Sequence, residues 1–223
     1  MQRPLFENRS DAGRQLATKL NDYADRTVVV LAIPNGGLPV AVEVAHALNA
    51  DCDVVISRKI SMPLHPESGF GAIADDGTVF LNNDLVRSSG LDEHQIEFEA
   101  NRVRAEVQRR SLLYKGTRPL VGVNGRAVII VDDGLASGVT MMAAIGSVRQ
   151  RHPREIVVAV PCASVQAKER VGKVADKVIV CVVANADVDF TVADYYRYWY
   201  DVKDADVIRK LDEWQTRRFH SIR

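Results

Sequence analysis

The sequence predicts an α/β fold in which a central, mainly parallel sheet is covered by helices on both faces. Three mostly apolar runs, rich in Val, Ile and Ala, lie at 27–33, 127–131 and 155–160. Such runs are typical of strands that are buried on both faces, as in parallel sheets. Segments with apolar residues at helical spacing separate the runs, and this alternation is the pattern of a Rossmann-like sheet between two helical layers.

Length and composition set the limits of the interpretation. The chain has 223 residues, enough for a sizeable core, and we expect residues 1–223 to form one domain. Lys and Arg together number 29, as do Asp and Glu, and a net charge of zero argues against broad electrostatic capture of nucleic acid or membrane. No apolar run reaches membrane length and the first residues lack a signal-peptide core, which predicts a cytoplasmic protein. Three widely spaced cysteines predict buried thiols rather than a zinc site: Cys52, Cys162 and Cys181.

The chain is expected to begin with a helix and a buried strand. Ser10 or Asp11 would cap the helix, which runs to about Tyr23. The strand at 27–33 ends in a Pro-Asn-Gly-Gly turn, and a helical pattern follows it. Paired glycines let a backbone approach a ligand closely, so the turn is either a tight connection or a loop whose amides bind an anion.

A short strand at 53–57 is predicted next, with the basic pair Arg58-Lys59 at its end and a Pro- and Gly-rich loop at 60–71. Asp76-Gly77 is a strong turn signal and predicts a hairpin over 72–81. The elements predicted beyond the hairpin, apart from the central strand, are a connector at 82–90, a helix at 91–114, a strand that Pro161 ends, a helix at 164–174, a strand at 177–183 and a helix at 204–217.

The most informative stretch follows the strand at 127–131. Two carboxylates, Asp132 and Asp133, come directly after the strand, and residues 134–140 form a loop of small residues and hydroxyls in which a helix begins. The backbone N–H groups of such a loop and helix N-terminus bind anions the size of phosphate. Because carboxylates repel phosphate, the acidic pair must face something else, either a sugar diol or a metal. The simpler alternative is a polar turn whose acids cap the helix.

The segment Val131-Asp-Asp-Gly-Leu-Ala-Ser-Gly-Val-Thr140 resembles the phosphoribosyl-pyrophosphate motif of type I phosphoribosyltransferases. Further segments extend the resemblance over nearly the whole chain, to a bacterial and archaeal group of predicted phosphoribosyltransferases of unknown acceptor. The resemblance implies that Asp132 and Asp133 hold the ribose 2′- and 3′-hydroxyls. It also implies that the 5′-phosphate is held by Gly134, Leu135, Ala136, Ser137, Gly138, Val139 and Thr140.

The resemblance also implies a pyrophosphate site outside that motif, in the loop Asn35-Gly36-Gly37. Asn35 stands where the family usually has a basic residue, so the loop brings no charge of its own. Arg58, in preference to Lys59, would contact pyrophosphate, because the guanidinium fork matches phosphate oxygens. The regions that the same resemblance assigns are a lid at about 60–81 and a hood or interface at about 184–223. The aromatic cluster at 190–200 is a core flap, a dimer surface or a stacking platform for a planar acceptor, and we expect a homodimer.

The predicted function is transfer of a 5-phosphoribosyl group from phosphoribosyl pyrophosphate to or from a nitrogenous acceptor, a nucleobase in the first instance, with release of pyrophosphate. Asp132, Asp133 and Arg58 would be the catalytic residues, and Mg²⁺ would be held mainly through the substrate, with the two aspartates as candidate ligands. Related enzymes for 6-oxopurines carry Asp at the position of Ala136, which disfavours hypoxanthine and guanine.

Two other functions are compatible with parts of the sequence. A non-catalytic regulatory protein that binds phosphoribosyl pyrophosphate or a nucleotide is the main alternative, and the uncharged Asn35 is its best support. A nucleotide phosphatase or NTPase is disfavoured, because no Gly-x-x-x-x-Gly-Lys-Ser/Thr sequence occurs. In both leading interpretations the partner is a small molecule, and neither nucleic acid nor membrane is expected to bind.

Overall fold

The computed structural model of the chain describes residues 5–24, 26–63, 65–116, 120–184 and 190–221. The strands are β1 (Val28–Ala32), β2 (Asp51–Val54), β3 (Ser57–Met62), β4 (His65–Ala74), β5 (Val79–Leu81), β6 (Ala127–Val131), β7 (Glu155–Ala163) and β8 (Lys177–Val183). The α-helices are α1 (Arg9–Thr18), α2 (Gly37–Ala47), α3 (Asn83–Ser89), α4 (Glu93–Lys115), α5 (Val139–Arg149), α6 (Val165–Gly172) and α7 (Asp204–Ser221). Short 3₁₀ helices occupy Asn21–Tyr23 and Val192–Tyr195.

Five strands form a parallel sheet in the order β2-β1-β6-β7-β8. β1 and β6 are neighbours at its centre, with Val28 opposite Ala127 and Ala32 opposite Val131. Every residue of these two strands is buried, because helices cover both faces. The predicted α/β fold is therefore confirmed.

The two helical layers share the side chains of the central strand, since successive strand residues point to opposite faces. Ile129 belongs to one core with residues of α1, α2 and α7, and Ile130 belongs to a second core with residues of α5 and α6. The helix residues most deeply buried in these cores include Leu16, Leu38, Val44, Val207, Val148 and Val171. This packing holds the carboxyl edge of the sheet, where the predicted site lies, between two apolar layers.

A second, antiparallel sheet has the strand order β3-β4-β5. The strand predicted at 53–57 is wrong in its bounds, because β2 ends at Val54 and β3 begins at Ser57. Arg58 and Lys59 therefore lie within the second sheet rather than at the end of a central strand. The two residues between the strands are both buried, so no polar signal in the sequence marks the change of sheet.

The loop predicted at 60–71 is wrong for the most part, since β3 and β4 occupy much of it. Its glycines serve close packing instead: a Cβ at Gly71 would lie 2.6 Å from the carbonyl oxygen of Phe80 on β5. The hairpin predicted at 72–81 is confirmed, and Gly77 in its turn has a φ of 89°.

Two predictions are wrong, the N-cap of the first helix and the connector at 82–90. The cap of α1 is Asn8, whose side chain accepts a hydrogen bond from the Asp11 amide, and neither Ser10 nor Asp11 caps it. The connector predicted at 82–90 contains α3, which is too short to show a helical period in the sequence. Its boundaries are local signals, an Asn at the N-cap and a left-handed Gly at the C-cap.

Pro161 does not end the seventh strand, as the sequence predicted, because β7 continues to Ala163. Its pairing with β6 stops at Ala159, so Pro161 lies where the strand has β8 alone as its neighbour. A proline is tolerated at such an edge position. Within the described ranges, no helix is both long and apolar enough to cross a lipid bilayer. Residues 185–189 and 222–223 of the predicted hood lie outside the described residues.

Candidate active site

The turn after β1 and the acidic pair after β6 meet at the carboxyl edge of the sheet. A Cβ at Gly36 would lie 2.0 Å from Oδ2 of Asp133, and one at Gly37 would lie 2.8 Å from the carbonyl oxygen of Val131. At contacts this short, a side chain at either position would force the neighbouring atoms to move. The two glycines are therefore needed because this turn packs directly on the acidic pair.

The loop after the acidic pair is anchored through its carbonyl groups. The Oγ of Ser164 donates to the carbonyl oxygen of Ala136 at 2.7 Å, and Arg170 donates to that of Ser137. Leu135 pairs with β7, its amide donating to the carbonyl oxygen of Cys162 at 2.9 Å. These contacts hold the loop in place from the side of β7 and α6.

The amide groups of the same loop are left open. In the described part of the chain, the N–H groups of Ala136, Ser137 and Gly138 have no acceptor. No side chain caps α5, and the φ of 77° at Gly138 turns the backbone into the helix. Consecutive open amides at a helix N-terminus form an anion site. The structure thus brings the predicted phosphate-loop residues into the arrangement that phosphate binding needs.

The two aspartates are in different electrostatic environments. Oδ2 of Asp133 accepts a hydrogen bond from Nε of Arg9 at 2.8 Å, whereas Asp132 has no cation within 4.0 Å among the described residues. Burial, and next the neighbouring Asp133 carboxylate, raise the pKa of Asp132 well above its usual value. A cationic or diol ligand would therefore favour the ionised form of Asp132.

Arg9 is a site residue that the sequence did not reveal. It is the first residue of α1, yet its side chain is only 4% exposed. Its Nη1 donates to the carbonyl oxygen of Tyr200 at 2.7 Å, and its guanidinium lies 3.7 Å from the ring centroid of Trp199. An arginine at the start of a helix is usually solvated, so no sequence signal marked it.

The aromatic segment at 190–200 reaches the acidic pair through Arg9 and Tyr196. The Tyr196 hydroxyl donates to the carbonyl oxygen of Asp133 at 2.5 Å. Tyr195 and Tyr196 are buried, whereas Tyr198, Trp199 and Tyr200 are exposed. The prediction of a core flap is therefore confirmed for the first two aromatics, and the dimer and acceptor roles of the others stay predictions.

The side chain of Asn35 is held inside the protein. Its Nδ2 donates to the carbonyl oxygen of Val202 at 2.8 Å and to Oδ1 of Asp204 at 3.0 Å. Its Oδ1 accepts from Nη1 of Arg110 at 2.7 Å and lies 2.9 Å from the hydroxyl oxygen of Tyr114, which donates to Oδ1 of Asp204. Since both side-chain donors are used, the backbone amides are the groups that this turn can offer to a ligand.

Arg58 lies in β3, close to the same network. Burial, and next the charge of Arg110, lower its pKa from the usual value for arginine. Its side chain makes no hydrogen bond or ion pair with any residue that the structure describes, whereas its backbone pairs with Ile73 of β4. The preceding residue ties β3 to the phosphate loop, because the Oγ of Ser57 donates to the carbonyl oxygen of Thr140 at 3.0 Å. Lys59 is the next strand residue and so points to the opposite face of the sheet.

The donor set suits a magnesium ion only in part. Among the described residues, no three His, Cys, Asp or Glu side chains lie close enough together to hold a metal. Two adjacent carboxylates are present, and Arg9 already occupies one oxygen of Asp133. A Mg²⁺ ion at this place would therefore need most of its oxygen ligands from a bound substrate, which is how this ion is often held.

Comparison with known proteins shows the family of the chain. The family model of the phosphoribosyl transferase domain matches residues 5–197. The chain belongs to this family. Curated sequences from two strains of Mycobacterium tuberculosis, provisionally named phosphoribosyl transferases, are each 40% identical to it over 208 residues. The match covers 93% of this chain but 46% of those proteins, so the chain spans about half the length of the curated relatives it matches.

A solved structure supports the fold of this phosphoribosyl transferase domain over its whole length. The crystal structure of the protein TT1426 from Thermus thermophilus is 38% identical and has a TM-score of 0.76. The similarity covers 96% of this chain and 99% of that one. The hairpin sheet and α7, which the short sequence motifs did not specify, thus lie in a region that the two proteins share.

Proposed function

We propose that this phosphoribosyl transferase domain transfers a 5-phosphoribosyl group between phosphoribosyl pyrophosphate and a nitrogenous base. The observation that carries the proposal is the row of open amides at the start of α5, directly beside two carboxylates. A phosphate needs donors and a ribose diol needs acceptors, and this edge of the sheet offers both within a few residues. The proposal covers the described domain, and the activity of a longer protein would include whatever its other parts contribute.

In the proposed reaction, the bond from ribose C1′ to the pyrophosphate oxygen breaks and a bond from C1′ to the base nitrogen forms. Positive charge develops on the sugar ring as the leaving group departs, as in glycoside chemistry. The amides of Ser137 to Thr140 would hold the 5′-phosphate, and Asp132 would accept hydrogen bonds from the diol. Both contacts fix the sugar in a reactive position rather than take part in bond making.

The charge that develops on pyrophosphate must be neutralised as the bond breaks. Arg58 and the amides of Asn35 and Gly36 are the groups of this chain that we assign to it. A Mg²⁺ ion, held mainly by substrate oxygens, would supply Lewis-acid neutralisation of the phosphate charge when bound. Asp132 would be its first protein ligand, because Arg9 occupies Asp133.

The acceptor that we propose is a nucleobase other than a 6-oxopurine. Ala136 is exposed in the phosphate loop, where a methyl group offers neither a hydrogen-bond acceptor nor a proton. A panel of bases tests this proposal. Measurable pyrophosphate release with hypoxanthine or guanine, but with no other base, would contradict it.

The first test of the function is ligand binding. We expect phosphoribosyl pyrophosphate with Mg²⁺ to raise the melting temperature of the protein, because a ligand that binds only the folded state stabilises it. Replacing Asp132 by Asn should abolish pyrophosphate release while leaving the circular dichroism spectrum unchanged, because Arg9 keeps its partner Asp133. Unchanged turnover in this variant would refute the role given to Asp132, and the absence of any shift at millimolar ligand would count against binding itself.

A non-catalytic regulatory domain is the second candidate. It is favoured by one observation, that the side chain of Asn35 is locked into the protein and brings no charge to the turn. A domain of this kind would be stabilised by phosphoribosyl pyrophosphate but would release no pyrophosphate with any base. Turnover with even one base excludes it.

A further inference from the structure

The side chain of Arg110 points from α4 toward the turn that holds Asn35. Its Nε donates to Oε1 of Glu106 at 2.6 Å, one helical turn earlier, and its Nη1 donates to Asn35. Its Nη2 is 3.9 Å from the nearest oxygen of Asp204, too far for a hydrogen bond. The protein therefore holds Nε and Nη1 of the guanidinium, while Nη2 has no hydrogen-bond partner among the described residues.

The cluster around Arg110 carries an excess of positive charge. Three arginines, Arg58, Arg109 and Arg110, face two carboxylates, Glu106 and Asp204. Arg58 forms no ion pair within 4.0 Å among the described residues. Burial, and next the charge of Arg110, lower its pKa, and the more distant carboxylates of Glu106 and Asp204 offset only part of that effect. Two partly buried guanidinium groups repel each other unless an anion lies near both, because the local dielectric constant is low.

The position of this charge matters for the turn. Arg110 and Tyr114 are four residues apart on α4, so they lie on one face of the helix and contact the same Asn35 oxygen. The backbone amides of Asn35 and Gly36 have no acceptor in the described ranges. The turn thus has open backbone amides but no cationic side chain of its own. The nearby cations, Arg58 and Arg110, belong to β3 and α4.

We propose that Arg110 and Arg58 together bind the pyrophosphate group, with Asn35 as the positioning residue that aims Arg110. The inference rests on the proposed function, and it adds a binding residue that no sequence motif indicated. A guanidinium on α4 would replace the basic side chain that the turn lacks. Planar forks suit the paired oxygens of pyrophosphate, and Asn35 would hold Nη1 of Arg110 so that Nη2 is free to bind the ligand.

The test measures the affinity for two ligands separately by calorimetry, inorganic pyrophosphate with Mg²⁺ and ribose 5-phosphate. Arg110→Gln should weaken pyrophosphate binding by about tenfold or more, the effect of losing charge-assisted hydrogen bonds. It should leave ribose 5-phosphate binding unchanged, because the loop after Asp133 holds that phosphate. The matched control is Arg109→Gln. It removes the same charge from the preceding residue and also loses contacts with Glu106 and Asp204. Arg109 is 52% exposed, so about a twofold effect or less is expected.

The outcomes separate this inference from the function it rests on. If neither ligand binds the unmodified protein, the proposed function fails and the inference fails with it. If pyrophosphate binds but Arg110→Gln has no effect, or has the same effect as Arg109→Gln, only the inference is overturned. If Arg110→Gln does not fold, the NMR signals of the arginine Nε–H groups are measured in the unmodified protein with and without pyrophosphate. Pyrophosphate should then shift the signals of Arg110 and Arg58 and not that of Arg109, and an unshifted Arg110 signal overturns the inference.

Discussion

At the scale of single residues, Arg9 determines how the acidic pair can be used. A buried arginine is costly unless every part of the guanidinium finds a partner. Here a carboxylate, a carbonyl oxygen and an indole ring supply those partners, from Asp133, Tyr200 and Trp199. Asp133 is thereby held as part of the protein framework, and Asp132 is left as the aspartate more available to a ligand.

Replacing Arg9 by Gln should destabilise the protein by about 3 kcal/mol, because it leaves the Asp133 carboxylate partly buried without its cation. Urea unfolding followed by circular dichroism measures this change. The control Arg14→Gln alters an arginine of the same helix that is 59% exposed, and it should change stability by no more than about 0.5 kcal/mol. Equal stability of the two variants would show that the Arg9 ion pair contributes nothing.

At the scale of elements, the site exists because two strand-to-helix turns leave the sheet at the same edge. Each turn has a sequence suited to close packing, Gly36-Gly37 after β1 and small residues after β6. The hydrophobic helices α2 and α5 then leave on opposite faces of the sheet, which keeps the turns adjacent. The hairpin sheet is joined to the second turn through Ser57 and Thr140.

The turn after β1 should not tolerate a methyl group at Gly36. The backbone there has a φ of −64°, which alanine adopts readily, so the whole effect comes from the 2.0 Å approach to Asp133. We expect Gly36→Ala to cost about 1–3 kcal/mol of stability, as overpacking does, and to weaken pyrophosphate binding. Chemical denaturation and calorimetry give the two quantities.

Gly122→Ala is the matched control for this change, because a Cβ there would have no atom within 4 Å. Its stability should stay within about 0.5 kcal/mol of that of the unmodified protein. If Gly36→Ala behaves like Gly122→Ala in both measurements, the turn is not packed on the acidic pair as described.

At the scale of the whole molecule, a polar network joins α7 to the long helix α4 and to the turn after β1. Hydrogen bonds from Arg109 and then from Arg110 lower the pKa of Glu106 to about 2. For Asp204, burial acts toward a higher pKa, but hydrogen bonds from Tyr114, Asn35 and Arg109 outweigh it and lower the pKa. The last helix, α7, is thus tied to the turn after β1 by groups that must stay ionised.

The network makes stability depend on pH in the acidic range. A carboxylate with a depressed pKa binds protons more readily in the unfolded state, so its contribution is present above the unfolded pKa of about 4.3 and is lost as pH falls toward 2. The melting temperature should therefore drop between about pH 4.5 and pH 2. Glu106→Gln should make that drop shallower, whereas Glu97→Gln, exposed on the same helix, should leave it unchanged. An identical fall in melting temperature at low pH for the unmodified protein and Glu106→Gln would contradict this account.

Local patterns were sufficient to predict the parts of the fold that depend on neighbouring residues. The strands β1, β6 and β8 and the start of α5 were predicted within a residue or two, because apolar runs and small-residue turns are contiguous in sequence. The strands of the second sheet were harder to predict from the sequence. Their glycines and prolines are typical of loops, and only the contact between Gly71 and Phe80 explains why a glycine stands in a strand.

The homodimer, the cytoplasmic location, the single domain, the lid and the Mg²⁺ ion stay predictions. The assignments of Asp132, Asp133, Arg58, Lys59 and the two loops to parts of phosphoribosyl pyrophosphate also stay predictions. The binding and mutation experiments above address the assignments to the acidic pair, Arg58 and the turn after β1.

The sequence by itself determined the class of fold, the phosphate loop and the acidic pair, because each is written in consecutive residues. The tertiary structure alone decided which charges meet at the site. Arg9 is 124 residues from Asp133, and Arg110 is 75 residues from Asn35. Contacts across such distances are made by the packing of helices on a sheet, and no local pattern records them.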